Sequence, residues 1–206
     1  MERIVFVVDD DDKVRESLTR LLSSAGYTVQ GFSSAGLFLS ASLPALPCCL
    51  ILDMKMPGSN GFDVVATLEK RGDALPVIFI SGYGTIPATV QAMKAGAREF
   101  FTKPVRSDQL LCAVEEALNA AQKNLASRTE HAASTLRLEK LTPREREVLE
   151  LAIGGLLNKQ IATELGISEI TVKVHKRRVM DKMQTRSLAD LVRAAERLHI
   201  ASTRSR

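Results

Sequence analysis

Tryptophan is absent from this 206-residue chain, and aromatic residues are limited to two tyrosines and seven phenylalanines. All of them precede Thr102, so the rest of the chain has no Trp, Tyr or Phe on which an unpaired base could stack. That counts against recognition of single strands or RNA through stacking. Cysteine is scarce too: Cys48, Cys49 and Cys112 are an odd set with one adjacent pair. Such a set suits neither a disulfide framework nor the spaced pairs of a metal site, so reduced thiols are expected. Long apolar runs are also missing. The opening run ends at Val8 against four aspartates, Asp9 to Asp12. It is too short for a signal peptide or a membrane span, and a cytoplasmic protein with no membrane partner is expected.

The remainder is ordinary for a globular protein, with 45 % apolar and 25 % charged residues. The length suits two domains, each able to bury a core. The net charge of +4 is unevenly spread. Residues 1–124 carry 12 Lys and Arg against 14 Asp and Glu, a balance of −2; residues 125–206 carry 16 against 10, a balance of +6. An acidic half joined to a basic half implies that the second half meets a polyanion.

The first half alternates between strand and helix. Ile4 to Val8 is an unbroken, β-branched apolar run of the kind buried on both faces of a parallel sheet. Val14, Leu18, Leu21 and Leu22 follow at helical spacing, and Gly26 ends that helix. A short strand is expected near Val29 and another at Leu50-Ile51-Leu52, ending at Asp53. Met56-Pro57-Gly58 reads as loop and Phe62 to Leu68 as helix. Val77 to Ile80 form a fourth strand, ended by Ser81-Gly82. Val90, Met93 and Ala97 suggest a helix, Phe100-Phe101-Thr102 a fifth strand, and a long helix starts near Ser107. Five strands alternating with helices make a doubly wound parallel sheet, whose site lies beyond the carboxyl ends of the strands.

Asp9, Asp10, Asp53, Ser81 and Lys103 fall at those ends. Carboxylates gathered there repel, and their pKa values rise unless a cation sits among them. Hard oxygen donors with room for water suit Mg²⁺, which neutralises phosphoryl oxygens while an ionised carboxylate attacks phosphorus. A lysine and a hydroxyl then hold the remaining oxygens. Singly, these residues have ordinary roles: helix N-terminal charge for the aspartates, a turn for Ser81, a cap for Asp53. Their joint position at the edge of one sheet is what those roles leave unexplained.

Val7-Val8-Asp9-Asp10, Leu52-Asp53-Met54-Lys55-Met56-Pro57-Gly58, Ile80-Ser81-Gly82 and Thr102-Lys103-Pro104 resemble the motifs of the CheY-like receiver domain of two-component response regulators. The resemblance spans roughly residues 3–122. It implies Asp53 as phosphoacceptor from a sensor histidine kinase. It further implies a Mg²⁺ pocket of Asp9, Asp10 and Asp53 with the Lys55 carbonyl, phosphoryl binding by Ser81 and Lys103, and Phe100 as an aromatic switch. Val105, where an aromatic is common, and Tyr83-Gly84-Thr85, in place of a frequent His-Gly-Asp run, depart from the pattern.

A partly helical linker is expected over residues 123–138, between a receiver at 1–122 and a second domain at 139–206. Thr142-Pro143-Arg144-Glu145 opens a helix with a capping box. Val148, Leu149 and Ala152 form its apolar stripe, and Gly154-Gly155 ends it. Asn158 to Leu165 reads as a short helix, Gly166-Ile167 as a turn, and Ser168 as the cap of a basic helix. In that helix Val172, Val179 and Met183 can face a core, leaving Lys173, Lys176, Arg177, Arg178 and Lys182 outside. Helix, glycine turn and basic helix make a helix-turn-helix. Leu141 to about Ile200 resembles the LuxR-type domain of the NarL/FixJ class, through Asn158-Lys159-Gln160-Ile161-Ala162, Leu165-Gly166-Ile167-Ser168, Thr171-Val172-Lys173-Val174-His175 and Arg186-Ser187-Leu188-Ala189. The two domains together resemble FixJ-type transcriptional activators. That implies base contacts from Lys173, Val174 and Arg177, phosphate contacts from Thr171, His175, Lys176 and Lys182, and a dimer contact from Ser187 to His199. Glu145 and Glu164 read as structural charges.

The expected function is a phosphorylation-controlled, non-enzymatic regulator that binds double-stranded promoter DNA. Phosphorylation is expected to drive a homodimer through the face around residues 87–102, and RNA polymerase is a further partner this allows. Two alternatives carry different consequences: a DNA-binding regulator whose receiver serves only protein contacts, and a phosphohydrolase with Asp53 as nucleophile. The intact set Asp10, Asp53, Ser81 and Lys103 weighs against the first, and the helix-turn-helix has no place in the second.

Overall fold

A computed structural model describes residues 2–73, 75–82 and 85–201. In chain order the elements are β1 (Ile4–Val8), α1 (Asp12–Ser24), β2 (Thr28–Phe32), α2 (Ala35–Ser40), β3 (Cys48–Asp53), β4 (Lys55–Met56), β5 (Ser59–Asn60), α3 (Gly61–Arg71), β6 (Val77–Ser81), α4 (Ile86–Lys94), β7 (Glu99–Thr102), α5 (Ser107–Glu139), α6 (Pro143–Ile153), α7 (Asn158–Leu165), α8 (Glu169–Met183) and α9 (Leu188–Arg197). The chain divides after Ala126 into two compact units.

The first unit is built on a five-stranded sheet in the order β2-β1-β3-β6-β7, with every neighbouring pair parallel. Strands β1, β3 and β6 are buried along their whole length, as continuous apolar runs must be when helices cover both faces. The period of two divides them. Ile4, Phe6 and Val8 enter one layer with Phe38, Val64, Leu68 and Ala92, whereas Val5 and Val7 enter the other with Leu18, Leu22, Leu110, Val114 and Leu118.

Three departures from the sequence reading have physical causes. The stretch Met56-Pro57-Gly58 is no simple loop: Lys55 and Met56 pair antiparallel with Asn60 and Ser59, around Gly58 at φ +75°. In α4 the large apolar residues Val90 and Met93 lie exposed with Ile86, and the small Ala92 is what enters the core, with Ala97 just beyond the helix. The segment expected as a partly helical linker lies wholly inside α5. No glycine or proline interrupts it, and in the second unit Ser134 is buried, donating to Glu130 at 3.2 Å, while Leu138 joins the core.

That second unit is helical. The capping box forms as read, with the Glu145 backbone donating to Thr142 Oγ1 at 3.3 Å and the Thr142 backbone donating to Glu145 Oε2 at 2.9 Å. Gly166, at φ +64°, makes the turn between α7 and α8, and Ser168 Oγ accepts from the Thr171 backbone at 3.1 Å. Val172, Val179 and Met183 of α8 are buried between two small cores. Among the described residues, no helix is long and apolar enough to cross a membrane.

Candidate functional site

Register brings the acidic cluster together. Val8 lies opposite Leu52, Asp53 opposite Ile80, and Ser81 opposite Thr102, so the carboxyl ends of β1, β3, β6 and β7 finish side by side. Asp9, Asp53, Ser81 and Lys103 follow from those ends. Asp9 and Asp53 are only 2 % and 6 % exposed, and Ser81 is buried as well. Asp10 is exposed, yet it offers a carboxylate oxygen within 4.8 Å of those of Asp9 and Asp53.

The Lys103 ammonium bridges the two buried carboxylates, at 2.7 Å from Asp9 Oδ2 and 3.0 Å from Asp53 Oδ1. Their other oxygens accept backbone N–H groups, Asp9 Oδ1 from Asp11 at 2.9 Å and Asp53 Oδ2 from Lys55 at 3.2 Å. Burial holds the Asp53 carboxyl above its ordinary pKa, against the opposing pull of Lys103. Burial also disfavours the Lys103 cation, but hydrogen bonds to Asp9 and Asp53 together outweigh it and raise its pKa. Three clustered carboxylates, one of them open to water, are a donor set that fits a hard divalent cation with water completing its shell.

Supporting residues emerge that sequence reasoning missed. Asp11 caps α1, accepting from Lys13 at 2.8 Å, and Arg15 pairs with Asp12 and donates to the Asp9 carbonyl at 2.6 Å. A Cβ on Gly61 would stand 2.7 Å from the Phe79 ring and 3.2 Å from the Asp53 carbonyl, so glycine lets α3 start against the site. Helix spacing and turn residues signalled these only as local features. Phe100 is half-buried on β7 and packs on the layer that holds Phe79. Of the segment after Ser81, Tyr83 and Gly84 lie outside the described residues.

In the second unit α8 keeps Lys173, Val174, Arg177 and Arg178 exposed, and Lys176 half-exposed. Lys173, Lys176 and Arg177 line a groove of about 510 Å³ with Asn158, Thr185 and Arg186, none of which was singled out as a contact from sequence. Thr171 is half-buried with its hydroxyl 2.8 Å from that of Ser168, and His175 is half-buried with Nδ1 enclosed by protein. Lys182, expected at phosphate, has a different partner: its Nζ lies 2.6 Å from Glu145 Oε2 and 3.0 Å from the Lys140 carbonyl. Glu145 is 3 % exposed; burial disfavours its charge, but Lys182 and Thr142 together hold its pKa below the ordinary range.

Comparison with known proteins agrees with both halves. A family described as response regulator receiver domain matches residues 5–115, and one described as bacterial regulatory proteins, luxR family, matches residues 139–195. Nodulation protein W of Bradyrhizobium diazoefficiens is 45 % identical over 199 residues, covering 97 % of this chain and 88 % of the relative. Among solved structures, response regulator StyR is 46 % identical with a TM-score of 0.85, covering 95 % of this chain and 99 % of its own. Full-length FixJ from B. japonicum is 37 % identical with a TM-score of 0.56, covering 96 % and 97 %.

Proposed function

Since the chain belongs to the response regulators that join a receiver domain to a LuxR-type DNA-binding domain, we propose that it accepts a phosphoryl group on Asp53 from a sensor histidine kinase and so controls binding of its second unit to duplex promoter DNA. Members of this family are transcription regulators rather than enzymes. The observation that carries the phosphoryl reading is the buried Asp53 carboxylate sharing Lys103 with Asp9 at the end of the sheet.

An Asp53 oxygen attacks phosphorus as the P–N bond of a phosphohistidine breaks, and the imidazole leaves with the bonding pair. The product is an acyl phosphate. Asp9, Asp10 and Asp53, with the Lys55 carbonyl, would hold Mg²⁺, whose charge offsets that of the phosphoryl oxygens. Lys103 then exchanges a carboxylate for a phosphoryl oxygen. Ser81, at the end of β6, supplies a hydroxyl, and Phe100 on the neighbouring strand responds to the shift.

The output is a two-fold dimer through the face spanning residues 87–102. Its support is the unburied apolar set Ile86, Val90 and Met93 on α4, which a second copy would cover. Two second units held together would read paired half-sites in the cytoplasm, with α9 as their mutual contact, and place RNA polymerase at the promoter. Lys173, Val174 and Arg177 face base edges in this reading; Lys176, with Thr171 and His175 at the flank, faces phosphate, whereas Lys182 is committed to Glu145.

The test is a DNA titration of the full chain with and without acetyl phosphate and Mg²⁺, repeated on Asp53→Asn. Phosphorylation should raise affinity for promoter DNA in the native protein only, and beryllofluoride should convert a sedimenting monomer to a dimer. Equal labelling of the Asn variant would overturn the Asp53 assignment. A beryllofluoride form that stays monomeric yet binds tightly would replace the dimer with release of a masked unit.

A further inference from the structure

We propose that Ile170 is a sequence-reading residue, forming with Val174 an apolar ridge that recognises the methyl groups of thymine in the major groove. The inference rests on the reading above that α8 enters duplex DNA.

Ile170 is 75 % exposed and Val174 46 % exposed, although both are β-branched aliphatics that ordinarily contribute to a core. They stand four residues apart, one turn of helix, and therefore side by side. Val172, Val179 and Met183 define the buried face of α8. At about 100° per residue, Ile170, Val174 and Arg177 all project within roughly 40° of the opposite direction. The centre of the outward face is thus an aliphatic pair followed by a guanidinium, with Lys173 beside it.

The chemistry of this stripe is mixed in a particular way. A face that only met phosphate would be served by cations and hydroxyls, and two bulky aliphatics at its centre would be left against water. The major groove offers one apolar feature, the C5 methyl of thymine, and aliphatic contact is how a helix detects it. Ile170 is the second residue of α8, and in a helix-turn-helix the N-terminal residues of the second helix reach the base edges. The ridge therefore reads thymine at the step facing the start of α8, while Arg177 reads the other end of the stripe.

The experiment uses the full-length beryllofluoride-treated protein to select duplexes from a randomised library, in parallel with Ile170→Ala and Ile170→Thr. The native protein should select thymine at a position where Ile170→Ala shows no preference, with the rest of the motif shared. Ile170→Thr, which keeps one methyl, should fall between them. A selected duplex with deoxyuridine at that position should bind the native protein about three- to fivefold more weakly, the order expected for one buried methyl, and should leave binding by Ile170→Ala unchanged. Identical motifs for the native and Ala proteins would overturn the inference while leaving DNA binding by α8 intact, as would indifference of the native protein to deoxyuridine. Failure of the native protein to enrich any sequence would overturn the DNA-binding reading itself, and this inference with it.

Discussion

Lys103 faces two carboxylates and Lys182 faces one, and their cations serve different ends. Lys103, 25 % exposed, bridges the buried carboxylates of Asp9 and Asp53. Replacing it by methionine leaves two buried carboxylates facing each other. We expect the receiver to lose about 1–3 kcal/mol at neutral pH by urea titration. Asp53 already has a raised pKa, and a raised carboxyl pKa costs stability above it that is regained as pH falls. The deficit of Lys103→Met should therefore shrink on acidification, and added Mg²⁺ should raise its midpoint more than that of the native protein. An unchanged deficit at pH 5 would remove the like-charge explanation. Lys182 instead fastens α8 to the start of α6. Lys182→Ala should destabilise the second unit, again by about 1–3 kcal/mol, yet leave the salt slope of DNA binding unaltered. Lys176→Ala should do the reverse, flattening the slope by about one unit at native stability. Glu145 has its pKa held down, so its stabilisation is complete above the unfolded value and is lost as pH falls through the folded one. At this scale the chain is readable where strand ends mark positions, as for Asp9, Asp53, Ser81 and Lys103. The partner of Lys182 was hidden because Glu145 lies 37 residues away in sequence and is brought near only by packing.

Elements marked by an unbroken apolar run or by a strong period were the most legible. Strands β1, β3 and β6 announced themselves because burial on both faces demands unbroken apolar runs. Helix α5 was legible to Leu118, where Leu110, Val114 and Leu118 keep their spacing, but beyond Ala121 the stripe lapses into Ala, Ser and mixed charge. The helix continues there for want of any breaker. Helix α4 misleads in the opposite sense, since its largest apolar side chains point away from the core. The first half of α5 is pinned at the far end of the sheet from Asp53. Arg3 donates to both Glu115 oxygens at 3.0 and 2.8 Å and to Asn119 at 3.0 Å, and the Tyr27 hydroxyl donates to Glu115 at 2.8 Å. Burial, followed by Glu115, pushes the Tyr27 pKa up to about 12. A raised phenol pKa gives stability that is full below about 10 and is lost as pH climbs towards the folded value. In Glu115→Ala, tyrosine ionisation followed by ultraviolet absorbance should begin at lower pH, and the receiver should melt earlier by about 1 kcal/mol. An unmoved titration would mean that burial alone sets the phenol.

The division of the molecule into two units was visible as a division of charge, −2 against +6, before any element was drawn. What charge could not show was that the division falls inside a helix, since composition marks domains and not the backbone that joins them. Two units that each hold their own core need not unfold together. Heating should give separate transitions, and only the second should shift upward when duplex DNA is added. A single transition that DNA shifts as a whole would show the units to be thermodynamically one. The pinned phenol of Tyr27 supplies the means of telling them apart. Both tyrosines and every phenylalanine belong to the first unit, and the second is optically silent in the near ultraviolet. The near-ultraviolet dichroism of this chain is therefore a spectrum of its receiver alone, recorded without dissection, while the far-ultraviolet helix signal sums both. A tryptophan placed anywhere in the second unit, excited on the red side of the tyrosine band, would emit against a dark background, so each half of the regulator can be watched in its own band while the other acts.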